Sequence, residues 1–304
     1  MEEFRSIGRR LSNWGRWGEG DERGALNTIT PERVVAAGGL VRQGKVFSMG
    51  IALDSNGPHA GGFRHNPVRL MAEIGAGMGT GAFRFSDDWV IMALQAATHW
   101  DAIAHVSYDD QLYNGFAATT TDVHGAARNG IDKAAKNGIA GRGVLVDMAR
   151  FNRVDWMAPA EVITPADLDA ACAAQGVEVR AGDILVLRTG WWKKFLTDGD
   201  RTGWFVGEPG LGMACADWLR ARDVAAVCAD NFGVEAMPSE LEGEMYPLHL
   251  VLIRDMGLMF GELFDVESLA HDCAADGVYE FLFAGPPLPF TNGAGSPVNP
   301  LAIK

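Results

Sequence analysis

Three short and almost wholly apolar segments, GVLVDMA (143–149), DILVLRTGWW (183–192) and VAAVCAD (224–230), constrain the fold most strongly. Apolar runs of this length, closed by polar residues or glycine, read as buried strands. Helices are marked between them. In TPADLDAACAAQG, Thr164 can cap a helix, Pro165 fits its first turn, Asp167 suits its positive end and Gly176 can terminate it. MACADWLRARD (213–223) repeats the pattern more weakly. Helix 164–175, strand 183–190, helix 213–222 and strand 224–230 thus alternate, as in the α/β class.

The first half reads differently. VRLMAEI (68–74) and WVIMALQAATHW (89–100) bring the expected buried strands to at least five, and the residues around GAGMGTG suggest a β-hairpin. The run from Gly77 to Ala82 loosely matches the dinucleotide fingerprint G-x-G-x-x-A. That fingerprint must open a helix, whereas the following FRFSDDWVIM reads as extended, so the glycines are read as a turn. The expected architecture is α/β of the mixed β/α kind, not a doubly wound sheet throughout. No internal repeat or Pro/Gly/Ser linker divides the 304 residues, and a single domain is expected.

Charge narrows the partners. Twenty-six basic against 39 acidic residues give a net charge of −13, which repels a phosphate backbone, so no nucleic-acid partner is expected. The opening MEEFRSIGRRLSNWGRW lacks the apolar core of a secretory signal. No stretch approaches the roughly 18–20 apolar residues of a membrane span, so the chain reads as cytoplasmic with no membrane partner. Cys172, Cys215, Cys228 and Cys273 form no C-x-x-C pair and read as reduced, buried thiols.

Chemistry concentrates in ATHWDAIAHVSYDD (97–110). In an extended chain, alternate side chains share a face, which brings His99 and Asp101 together about 6.6 Å apart along the strand. In a helix they would point about 200° apart. Gln95 and His105 each lie roughly 13 Å along an extended chain from the nearer of the pair, and join it only if the chain bends. Imidazole with carboxylate suits Zn²⁺, Mn²⁺ or Fe²⁺. A bound ion with an open position can activate water, and His105 is then a natural acid/base. No G-x-S-x-G elbow supports a serine hydrolase. An alternative is an Fe(II)- and oxo-acid-dependent oxygenase, with His99, Asp101 and a distant His249 as its ligands and Arg254 binding the co-substrate's carboxylate. His65, Trp14, Trp17, Tyr113 and Asn231 could line a substrate pocket.

QAATHWDAIAH resembles the H-x-G-T-H-x-D-x-P-x-H signature of the cyclase-like metal-dependent hydrolases, the family of bacterial kynurenine formamidases, isatin hydrolases and related lactone hydrolases. Thr98, His99, Asp101 and His105 match it, while Gln95 replaces the first histidine, Ala97 the glycine and Ile103 the proline. NWGRWGEGDERGALNTITPE (13–32) resembles the N-terminal segment of the family's longer branch, an extension over about residues 1–40. RGVLVDMARF, GDILVLRTGWW and GAGSPVNPLAI resemble its later strands and tail. The resemblance implies a swivelling β/β/α fold and a homo-oligomer, dimer or tetramer. It also implies a Zn²⁺ or Mn²⁺ site with His99, Asp101 and the Gln95 position as ligands, and His105 as proton shuttle. His249 and Glu262 in PLHLVLIRDMGLMFGELFD match the downstream pair that completes the metal site. The expected reaction is hydrolysis of a small amide or ester, particularly a cyclic one such as a lactam, imide or lactone. A non-catalytic ligand-binding relative is the further alternative that the Gln95 change suggests.

Overall fold

In the computed structural model, which describes residues 3–304, the apolar runs become the middle of a nine-stranded mixed sheet. Ala140–Asp147, Ile184–Arg188, Ala226–Ala229 and Met259–Glu262 lie side by side and parallel. Beyond Ala140–Asp147 the sheet continues antiparallel through Glu280–Ala284 and Leu301–Ile303 to Val46–Ser48. Beyond Met259–Glu262 it continues antiparallel through His99–Asp101 to Gly295–Pro297. Ile184–Arg188 and Ala226–Ala229 are buried along their whole length, as strands covered on both faces must be.

The expected helix forms as Pro165–Gln175. Thr164 and Asp167 make a reciprocal capping box, and Gly176 closes the helix at φ 66°. Its weaker counterpart is Cys215–Ala221. Two expected strands are shorter than their apolar runs. DILVLRTGWW leaves the sheet at Arg188, because the buried Asp230 carboxylate accepts from Thr189 N, Thr189 Oγ1 and Gly190 N at 2.6–2.8 Å. Gly190, at φ 78°, turns the chain into the helix Trp191–Asp198. GVLVDMA likewise stops at Asp147, whose side chain caps the helix Met148–Phe151.

In the first half the hairpin forms, but not as buried strands. Val68–Gly77 pairs with Arg84–Ile91 around the glycine-rich turn at 78–83, and Val68, Leu70, Trp89 and Ile91 stay largely exposed. WVIMALQAATHW is not one strand. Residues 89–91 end the hairpin, 94–98 form turns and bends, and only His99–Asp101 joins the main sheet. Periodicity cannot separate these cases, since an apolar run is equally compatible with ribbon, buried turn and core strand.

Helix Phe4–Leu11 buries Phe4, Ile7 and Leu11 in an apolar core that extends to Ala302. A smaller aromatic cluster, including Trp191, Trp192, Phe195, Trp204 and Phe232, lies apart from it. The four cysteines are free and buried. Among the described residues, no helix is long and apolar enough to cross a membrane.

Candidate metal centre

Strand register builds the centre. His99 lies directly opposite Glu262 on neighbouring antiparallel strands, and Asp101 follows two residues along, so all three side chains share one face of the sheet. Between them Trp100 alternates to the other face, where its indole N–H donates to Gly285 O at 2.7 Å. Thr98 ties the strand in place: its hydroxyl accepts from Ile51 N and donates to Leu263 O.

The three side chains converge. Ligand atoms of His99, Asp101 and Glu262 all lie within 4.8 Å of one another, and all three residues are buried. His99 Nε2 stands 3.1 Å from Glu262 Oε2 and 3.5 Å from Asp101 Oδ1. The other imidazole nitrogen, Nδ1, is 2.8 Å from Ala97 O and donates to it, which leaves Nε2 facing the carboxylates. With Nδ1 carrying the proton, neither His99 Nε2 nor either Asp101 oxygen meets a hydrogen-bond donor among the described residues. Buried, unpartnered lone pairs aimed at one another are costly unless a cation or a proton sits among them. An N/O donor set of this kind fits a divalent ion such as Zn²⁺ or Mn²⁺.

Glu262 also reaches the second histidine, with its Oε1 3.2 Å from His249 Nε2. His249 is aimed by Glu235, whose carboxylate accepts from Nδ1 at 2.6 Å, from His249 N at 2.8 Å and from Leu248 N at 3.0 Å. No local sequence signal marks Glu235: it sits in a loop that tertiary structure brings under the Pro247–His249 turn.

The fourth expected residue arrives by a bend. After Asp101 the chain turns, with His105 N donating to Ala102 O at 2.9 Å, and His105 Nε2 returns to 3.6 Å from Asp101 Oδ2. Burial holds the His105 imidazole below its ordinary pKa against the opposing pull of Asp101 and Glu262. About a quarter of the side chain stays exposed, 24%, facing a cavity of about 490 Å³. Gln95, Asp101, His249 and Glu262 line the same cavity. Gln95 lies in a turn, with its amide against Gly295, the residue paired with Asp101.

Burial opposes the charged forms of His99 and His249, yet their carboxylate partners outweigh it and raise them from 6.5 to about 9 and about 10. Burial pushes the Asp101 carboxyl up, but His105 and then His99 hold it low, and His249 and His99 hold Glu262 low against burial and the neighbouring Asp101. In metal-free protein the two imidazolium ions therefore stabilise the fold fully below pH 6.5, and that contribution is lost as pH rises through about 9 and about 10. Calorimetry should show the thermal midpoint of chelated protein falling across this range, with saturating metal removing most of the dependence. A midpoint equally flat with and without chelator would contradict it.

The expected pocket-lining set is not the set the cavity presents. Trp14 donates its indole N–H to Arg254 O at 2.9 Å, and Trp17 lies under the Arg16 guanidinium. Tyr113 is buried, donating to Asp21 at 3.0 Å, and Asn231 folds its amide onto Pro209 O and Val234 N. His65 is exposed. None of these five lines the cavity beside His105, whose walls include Phe63, Arg64, Phe232 and Tyr246. The Arg254 that an oxygenase would need is also committed elsewhere. It pairs with Asp255 at 2.5 Å, donates to Gln111 at 3.0 Å and stacks on Trp14 and Tyr108.

The chain as a whole is similar to known proteins. The family model of Cyclase, described as "Putative cyclase", matches residues 45–236. The isatin hydrolase of Roseibium aggregatum is 25% identical over 225 residues, covering 72% of this chain and 75% of its own. A crystal structure described as a novel cyclase superposes with a TM-score of 0.90 at 40% identity, over 97% of this chain and 100% of that one. Isatin hydrolase A from Ralstonia solanacearum superposes with a TM-score of 0.63 at 20% identity, over 90% of this chain and 97% of that one.

Proposed function

The chain belongs to the Cyclase family, and from that premise we propose that it is a metal-dependent hydrolase of a small amide or ester, with cyclic amides, imides and lactones as the substrate class. The observation that carries the reading is the buried, unpartnered convergence of His99, Asp101 and Glu262 beside an accessible His105. The R. aggregatum relative, named for hydrolysis of isatin, supports it.

His99 Nε2, Asp101 and Glu262 would hold the ion, with Gln95 offering an amide oxygen and His249 supporting Glu262 from behind. Zn²⁺ or Mn²⁺ bound there supplies Lewis-acid polarisation of the scissile carbonyl and lowers the pKa of water towards about 7. His105, whose imidazole burial holds below its ordinary pKa, takes the proton of the attacking water at Nε2. As it becomes imidazolium, Asp101 stabilises it from 3.6 Å. The water oxygen bonds to the carbonyl carbon, the C–N or C–O bond breaks, and His105 returns the proton to the leaving nitrogen or oxygen. The acid so formed gives its remaining proton to solvent, leaving a carboxylate together with an amine from a lactam, an amide from an imide or an alcohol from an ester or lactone, tethered in one molecule when the substrate is a ring. Phe63, Val106 and Phe232 give the cavity an apolar side against which the body of the substrate can rest.

A panel of lactones, imides, lactams and N-formyl amines, assayed by chromatography for the acid product, tests the proposal. Metal-loaded protein should turn over at least one class. Tight binding with no turnover across the panel would instead identify a non-catalytic ligand-binding protein.

A further inference from the structure

Arg64 is the one arginine or lysine lining the metal cavity among the described residues, and the metal chemistry above makes no use of it. Its guanidinium carbon lies 5.0 Å from the Phe232 ring centroid and 5.4 Å from that of Phe63, so aromatic rings hold the group at the cavity wall. Among the described residues it has no carboxylate partner, although Asp101 and Glu262 line the same cavity, and its buried Nη1 meets no hydrogen-bond acceptor. The buried Arg188, by contrast, meets Asp147 and Glu267, and Arg142 meets Asp183 and Glu280. A buried guanidinium N–H left without an acceptor is unfavourable, and it becomes favourable when a ligand supplies the oxygen. The planar fork suits a carboxylate, which it can take through two parallel N–H donors.

We propose that Arg64 is a specificity residue that binds a carboxylate carried by the substrate, so that the preferred substrates are flat amides, imides or esters bearing an anionic group in addition to the scissile carbonyl. The inference rests on the hydrolase reading for the word substrate, while the anion site itself rests on Arg64 and the cavity. Phe63, Phe232 and Tyr246 supply the apolar surface for the flat body of such a molecule, and Arg64 supplies the countercharge that an otherwise acidic protein lacks there.

Phthalimide and 4-carboxyphthalimide form a matched pair of probes with the same ring and the same scissile bonds. Titration calorimetry on metal-loaded protein should show the carboxylated imide binding roughly tenfold to a hundredfold more tightly. In Arg64→Met that preference should collapse to within about threefold, and Arg64→Lys, which keeps the charge but loses the fork, should retain part of it. If the protein hydrolyses either imide, the rise in the Arg64→Met variant should fall on KM for the carboxylated one. The absence of any preference in wild type would overturn the proposal, as would a preference surviving in Arg64→Met, which would assign carboxylate binding to the metal. Binding is read without turnover, so failure of hydrolysis and failure of the anion site give different results. Should Arg64→Met not fold, the wild-type preference and the Arg64→Lys value still decide.

Discussion

His105→Ala is expected to lower hydrolysis by roughly 10²–10⁴-fold while the metal bound per chain stays at the wild-type level. The two effects separate because His105 stands outside the cluster of converging ligand atoms and touches it only through Asp101 Oδ2 at 3.6 Å. Removing the imidazole takes away the group that carries the proton between water and leaving atom, but leaves His99, Asp101 and Glu262 in place. The side chain is partly exposed in a preformed cavity, so its truncation should alter the thermal midpoint little. Metal analysis beside a steady-state assay checks this. Loss of metal in parallel with activity would make His105 a ligand instead.

His99→Ala should do the reverse, stripping the metal and reducing hydrolysis to background. His99 is fully buried, and its Nε2 lies between the Asp101 and Glu262 carboxylates. Without the imidazole, the two buried carboxylates lose the group between them and keep only His249 on the far side of Glu262 and His105 beside Asp101, so the carboxyl groups should take up protons at higher pH. The variant should therefore retain less than a tenth of wild-type metal after dialysis and should melt at lower temperature at neutral pH than at mildly acidic pH. Full metal retention in this variant would remove His99 from the centre.

How much of this was readable beforehand depends on how locally each feature is encoded. His99 and Asp101 were legible because two-residue alternation along a strand is a backbone property, and they occupy one face as expected. The helix Pro165–Gln175 was legible for the same reason, since its cap, first turn and stop lie within the segment. His249 and Glu262 came from the family resemblance and not from spacing: their meeting at 3.2 Å depends on a turn, a following helical stretch and a strand register that no periodicity states. Glu235, Arg64 and Phe232 were missed because each stands in a loop that tertiary structure brings to its place, Arg64 and Phe232 to the cavity and Glu235 to His249. Aromatic and polar residue type alone suggested Trp14, Trp17, Tyr113 and Asn231, and those same properties suit them to the local packing they provide. The run WVIMALQAATHW misled because hydrophobicity reports burial or contact without reporting the backbone that achieves it.

The most direct measurement is hydrolysis by exhaustively chelated protein under strict anaerobiosis, before and after addition of Zn²⁺ or Mn²⁺, using whichever lactone, imide or N-formyl amine the panel identifies. Activity should vanish on chelation and return with the metal alone, with no oxygen and no oxo-acid supplied. Undiminished hydrolysis after complete removal of metal would contradict a metal centre at His99, Asp101 and Glu262, and turnover that appears only with oxygen and an oxo-acid would contradict hydrolysis itself.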